Sequence, residues 1–177
     1  SLAKENMNIV VESLNTISET DLADLCNITE QAITAGGGFG WLNAPTRDIL
    51  KKYWKGLVLI ENRKLIVGRL NEAIAGTLQL IFQPPNNQAQ QNIFNVSSHF
   101  VAPWARGHGL AKKMIDKAEI IGIESGANCA QLDVRETQDA AIQLFKSKGY
   151  IRWGVNPNYA QVNGKNIKGY YYYKKLK

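Results

Sequence analysis

Residues 104–111, WARGHGLA, close a strand-like run and open a periodic apolar one, with two glycines at the join. Such a join restricts the chain to architectures in which a strand turns tightly into a helix. From Gly109 the apolar residues Leu110, Met114, Ala118 and Ile121 recur at helical spacing, while Lys112, Lys113, Asp116 and Lys117 fall mostly on the other side. The first turn of a helix leaves backbone N–H groups unpaired and carries partial positive charge, so it suits an oxyanion. Gly107 and Gly109 would let the backbone curl round that anion, and Arg106, Lys112 and Lys113 would add charge-assisted contacts to further phosphates. The plainer alternative is a tight connection with solvated basic neighbours.

The other segments set the surroundings of this turn. Residues 8–14 are rich in β-branched side chains and read as a strand, followed by Ser18 and Thr20 as helix caps and an apolar-spaced helix over 21–35. AGGGFGW at 35–41 is too glycine-rich to stay helical, and Pro45 opens a second helix that ends near Gly56. Residues 64–70 and 73–82 form an antiparallel pair about Asn71 and Glu72, and an exposed amide-rich loop at 84–92 leads to a third strand at 93–102. The helix from Gly109 ends near Gly126; a strand at 129–136, a short helix stopped by Gly149, and closing strands in 151–155 and 169–176 about a turn at Asn163 and Gly164 complete the chain.

With 177 residues and 45% hydrophobic content the chain can bury one core, and a single domain over 1–177 is expected. The formal charge of +6 is spread over several segments, and the aromatics do not interleave with a basic stripe, so nucleic acid is not an expected partner. Cys26 and Cys129 lack metal-ligand or disulfide-framework spacing, which predicts no metal and a reducing, cytoplasmic location. No apolar stretch reaches membrane-spanning length, and the amino terminus lacks the pattern of a signal peptide; Ser1 and Leu2 read as residues left by expression. A dinucleotide-binding unit would also use strand, GHGLAK, helix and a later Asp133, but Lys112 stands at its third glycine and the preceding strands form a meander.

FVAPWARGHGLA at 100–111 resembles the signature of the GNAT N-acetyltransferase superfamily, whose Q/R-x-x-G-x-G/A motif is met by Arg106, Gly109 and Ala111. The order of elements resembles that superfamily over nearly the whole chain. AITAGGGFGW, YWKG at 53–56, QLDVRE, RWGVNPNYA and YYYYKKL are similar to a narrower group that includes tabtoxin-resistance acetyltransferases. The resemblance implies an α+β fold with a mixed, mostly antiparallel sheet of about seven strands, helices on both faces, and splayed fourth and fifth strands. It implies acetyl-CoA as acyl donor, with the backbone of Arg106, Gly107, His108, Gly109, Leu110 and Ala111 round the diphosphate, and Lys112, Gln138 and Phe145 as further contacts to the cofactor. It further implies pantetheine in the splay, on the backbone of Phe100 and Val101, with the Val101 N–H facing the thioester oxygen. The acceptor is expected to be an amine of a small molecule.

An alkyl ammonium with a pKa near about 10 must lose a proton before it attacks. Strict alternation along 93–101 puts His99 with Asn95 and Ser97 on the more polar strand face, which makes it one candidate base. Asp133, which shares a strand face with Gln131 and Arg135, resembles an acidic position of the narrower group and is the other. Either has a structural alternative: His99 as a hydrogen-bonded interior residue, Asp133 as a partner of Arg135. The superfamily's usual tyrosine acid is replaced by Phe145, which cannot donate a proton; an unaided thiol, a water, Tyr159 or Tyr150 would then serve. Gly38, Phe39 and Trp41 are the expected acceptor wall, or alternatively a helix break and core aromatics. Two of Tyr170–Tyr173 face each way, toward the pocket or toward a second subunit of a homodimer.

Overall fold

The computed structural model describes residues 7–177, so Ser1 and Leu2 lie outside it. Strand β1 (Ile9–Leu14) leads to helix α1 (Glu19–Ala35), helix α2 (Arg47–Leu57), β2 (Arg63–Leu70), β3 (Ala73–Phe82), β4 (Ile93–Val101), α3 (Leu110–Glu124), β5 (Cys129–Arg135), α4 (Asp139–Ser147), β6 (Ile151–Val162) and β7 (Lys165–Lys175). The seven strands form one sheet in the order β1-β2-β3-β4-β5-β7-β6. All neighbours are antiparallel except β4 and β5, which run parallel and stay paired only from Ile93–Cys129 to Asn95–Gln131. Beyond Asn95 the two strands part, as expected for this fold.

Local chemistry sets the element ends. Ser18 caps α1 by accepting the Asp21 N–H at 3.1 Å, while Thr20 lies inside the helix. Gly36 ends α1 in the left-handed region, its N–H returning to Ala32 and Ile33. The β2–β3 hairpin turns on Asn71 and Glu72, both at positive φ, as a two-residue turn matched to strand twist requires. Asn71 adapts to that conformation and also accepts the Asn8 N–H at 2.9 Å, tying β1 to the turn. The closing strands run further than their apolar segments suggested, because β6 and β7 pair almost to the Asn163–Gly164 turn.

Helices cover both sheet faces. On one, α1 presents Leu22, Leu25, Ile28 and Ala32, and α2 presents Leu50, Trp54 and Leu57. The fully buried Trp54 donates its indole N–H to Thr29 at 2.9 Å, a partner whose loss would leave a donor unsatisfied at about 1–3 kcal/mol. On the other face α3 lies so close that a Cβ on Gly76 would come within 2.8 Å of Met114. The segment that follows α4 joins this side through Lys148, paired with Asp116, and through Tyr150, whose hydroxyl donates to Glu119 at 2.9 Å. Among the described residues no helix is long and apolar enough to cross a membrane.

Candidate active site

The splay between β4 and β5 opens a cavity of about 680 Å³, bounded by the loop after α1, both strands, the start of α4 and the end of β6. Its floor follows from strand register. Asn95 pairs with Gln131, and beyond the split Ser97 on β4 and Asp133 on β5 continue on the α1–α2 face.

His99 does not share that face. Gln79 pairs with Ser97 but Thr77 pairs with Phe100, so Leu78 faces two residues, Ser98 and His99, and Ser98 takes φ +50°. This bulge reverses the alternation. Phe100 now packs against Gly38 on the α1–α2 face, and Val101 lies opposite Gly76, whose missing side chain would point at Met114 of α3. His99, two residues before Val101, therefore turns to the α3–α4 face, with its ring centroid 5.8 Å from that of Phe145. The expected grouping of His99 with Asn95 and Ser97 is corrected by that extra residue. Its Nε2 is sealed from solvent and has no hydrogen-bond partner. Burial lowers its pKa to about 4, opposed weakly by the Ala111 backbone, so the ring is neutral at physiological pH.

Backbone direction matters beside side chains. The Ala102 N–H bonds to Ala75 of β3 at 2.8 Å, so alternation aims the Val101 N–H away from β3 and into the splay. The peptide groups of Phe100, in phase with Ala102, face β3 instead. After a short 3-10 turn at Pro103–Ala105, Gly107 and Gly109 take φ of +86° and +72°. Gly109 is the N-cap of α3 without a capping side chain, and no acidic residue stands in the first turn. Lys113, bonded to Gly109 at 3.1 Å, is the first N–H after Arg106 to find a backbone acceptor among the described residues. The N–H groups of Gly107, His108, Gly109, Leu110, Ala111 and Lys112 thus form a donor run without backbone acceptors at a positive helix end, with nothing within 4 Å of a Cβ at Gly109. Such a run can hold an oxyanion.

On β5 Asp133 is exposed toward the cavity and accepts a hydrogen bond from the Tyr159 hydroxyl. Sequence reading pairs Asp133 with Arg135 as its structural alternative; the fold gives it Tyr159. Residues 157–159 leave the β6–β7 ladder between Asn156 and Ala160, and the Tyr159 ring lies where any side chain on Gly169 would stand. Burial first, and then the Asp133 carboxylate, push the Tyr159 hydroxyl well above the ordinary tyrosine range, so it stays a donor. Tyr150 is unlike it: its buried hydroxyl belongs to Glu119, which also receives Lys174 at 2.8 Å.

Phe145 is buried against His99, Tyr150 and Tyr172, with a ring-centroid distance of 5.6 Å to Tyr150. Gly38 and Phe39 line the cavity, whereas Trp41 packs behind Phe39 against Tyr53, at ring-centroid distances of 6.2 and 5.0 Å. Leu42, exposed and not singled out in the sequence, lines the cavity with them. Gln138 bonds the Gly36 carbonyl at 2.9 Å and so faces the loop. Arg135, also missed, donates to the carbonyls of Gly36 and Phe39 at 3.3 and 3.1 Å.

A family model described as acetyltransferase (GNAT) family matches residues 25–150. The chain is 45% identical over 131 residues to an uncharacterized N-acetyltransferase of a hisH-hisA intergenic region in Azospirillum brasilense, spanning 74% of this chain and 78% of that protein. An N-acetyltransferase structure from Staphylococcus aureus Mu50 superposes with a TM-score of 0.81 at 18% identity, over 96% of this chain and 99% of that one. A putative acetyltransferase from Salmonella typhimurium, with its cofactor acetyl-CoA, superposes with a TM-score of 0.78 at 15% identity over 96% and 95% of the two chains. With the split parallel pair and the open glycine turn before α3 in place, the sequence matches settle the lineage: the chain belongs to the acetyltransferase (GNAT) family.

Proposed function

We propose that this protein transfers an acetyl group from acetyl-CoA to an amine of a small molecule, in a reducing cytoplasm where Cys26 and Cys129 remain free thiols. The observation that carries the reading is the run of N–H groups from Gly107 to Lys112 that have no backbone acceptor among the described residues, with open space where a side chain on Gly109 would stand. Those groups, with Arg106 and Lys112, fit a diphosphate, and the gap-facing Val101 N–H fits a thioester oxygen. Acetyl-CoA would supply an activated acyl group and a thiol leaving group. Similarity to an acetyl-CoA-bound structure of the same fold supports the choice of donor.

The acceptor amine would lie on the α1–α2 face, where Asp133 is the exposed carboxylate and Tyr159 holds its orientation. Asp133 takes the proton that leaves the ammonium, directly or through a water. His99 is less suited to that step, because its half-buried ring, although it borders the cavity, resists a positive charge and lies on the opposite strand face. Tyr170–Tyr173 lie on β7 between β5 and β6, with Tyr172 in the core, and a homodimer is an arrangement to test by light scattering. The narrower likeness to tabtoxin-resistance enzymes favours a small acceptor over a polypeptide.

Release of free thiol from acetyl-CoA in the presence of a panel of small amines tests the assignment. Turnover with at least one amine is expected, together with calorimetric binding of acetyl-CoA. No heat of binding would overturn it. The missing hydroxyl at Phe145 favours a second reading, an acyl-CoA-binding module without turnover, which binding without thiol release would support. If protonation of the leaving thiolate limits the rate, Phe145→Tyr raises kcat severalfold with acetyl-CoA affinity unchanged; an equal or lower kcat counts against that role.

A further inference from the structure

We infer that Arg135 is a positioning residue for the acceptor pocket, holding loop 36–40 as a preformed wall across the splay between β4 and β5; this rests on reading that cavity as the acceptor site. Three side-chain donors reach this loop from residues about a hundred positions away. Arg135 Nη1 and Nη2 reach the carbonyls of Gly36 and Phe39, and Gln138 Nε2 reaches Gly36 again. Arg135 makes no ion pair among the described residues, so nothing draws its fork away from these carbonyls.

The position also satisfies a need of α1. That helix has no basic residue in its last turn, and its terminal carbonyls carry partial negative charge. Arg135 brings a cation to that end from a strand on the far side of the gap. The loop is anchored on the near side as well. Gly38 packs on Phe100 of β4, where a Cβ would stand 3.0 Å from the Phe100 Cβ, and the Phe39 ring lies edge-on to Trp54 with centroids 5.8 Å apart. Gly37 packs directly on the Gln138 amide, which a side chain there would have to displace. The loop is therefore joined to both separated strands at once, and a small acceptor meets a wall that need not be ordered on binding.

Arginine suits this role because a planar fork can serve two carbonyls, whereas a lysine ammonium on a flexible stem serves one geometry less well. Arg135→Gln, Arg135→Lys and Gln138→Ala would be compared with wild type by hydrogen–deuterium exchange of residues 36–42, acetyl-CoA calorimetry, and kinetics with the amine turned over in the panel. Arg135→Gln is expected to speed exchange in the loop about tenfold, leave exchange in α3 unchanged, and keep the acetyl-CoA Kd within about twofold. KM for the amine should rise about tenfold while kcat changes less than about threefold. Arg135→Lys should recover part of the protection, and Gln138→Ala should loosen the loop less than Arg135→Gln. Unchanged loop exchange in Arg135→Gln, or a lysine variant as loose as the glutamine one, overturns the inference. A tenfold loss of acetyl-CoA affinity would also overturn it, by making Arg135 a cofactor contact. Failure of wild type to bind acetyl-CoA would instead sink the assigned activity, while loop exchange would still report whether Arg135 holds the wall.

Discussion

Glycine stands at 37 and 38 beside the cavity and again at 109 before α3, but the space around these positions differs. Gly37 and Gly38 are pressed against Gln138 and Phe100, and Arg135 holds the carbonyls on either side. Gly109 has a left-handed backbone and empty space where a side chain would stand, beside N–H groups that no carbonyl accepts. One loop uses glycine so that the protein can pack on itself. The other uses it where the protein leaves room. Composition cannot separate these cases, because the residue is the same in both and the difference lies in what approaches it.

The comparison is broken most directly at Gly109. Gly109→Val puts a β-branched residue in the left-handed region and a side chain over the donor run; acetyl-CoA affinity measured by calorimetry should fall at least a hundredfold, about 3 kcal/mol. Unchanged affinity would mean that the open space is not a ligand site. His99 sharpens the same side of the comparison through pH. Its folded pKa of about 4 lies below the unfolded value of 6.5, so the unfolded chain binds the proton first as pH falls. Its stabilising contribution is present above pH 6.5 and is lost between 6.5 and 4, about 3 kcal/mol over that window. Denaturant melts at pH 7 and pH 4 should show His99→Leu losing correspondingly less stability than wild type across this range; equal losses would show the ring is not enclosed.

At Gly37 the opposite pattern is expected. Gly37→Ala pushes the flexible Gln138 amide off the Gly36 carbonyl and should cost about 0.5–1 kcal/mol in denaturant melts while leaving acetyl-CoA affinity unchanged. A loss of acetyl-CoA affinity there would merge the two loops into one site. A comparably small effect belongs to Glu72, which holds φ +74° in a turn remote from the cavity. Glu72→Gly removes the steric cost of a left-handed non-glycine residue and should stabilise the fold by up to about 1 kcal/mol, with neither affinity nor activity altered. Destabilisation would show that the Glu72 side chain contributes more than its backbone conformation costs.

Much of the architecture was legible because it depends on neighbours in sequence. Helical spacing from Leu110, the cap at Ser18, the break at Gly36 and the hairpin at Asn71 and Glu72 each need only a few adjacent residues to be read. Asp133 kept its expected face because β5 runs without interruption. His99 did not, since one extra residue at Ser98 reverses a period of two and nothing in the Ser97–Ser98 pair announces a bulge. Arg135 escaped notice for a different reason, as did the bond that Gln138 makes to the loop: their partners are main-chain carbonyls, which carry no residue identity.

From the order of residues alone came the family, the element succession, the glycine turn ahead of α3 and the missing tyrosine at Phe145, all of them properties of local pattern. Only the folded chain decided which sheet face His99 occupies, that Tyr159 rather than Arg135 meets Asp133, and that the loop after α1 is tied to β5. These outcomes depend on strand register and on contacts between distant segments, where a single inserted residue or an unlabelled carbonyl changes the partner without changing the local pattern.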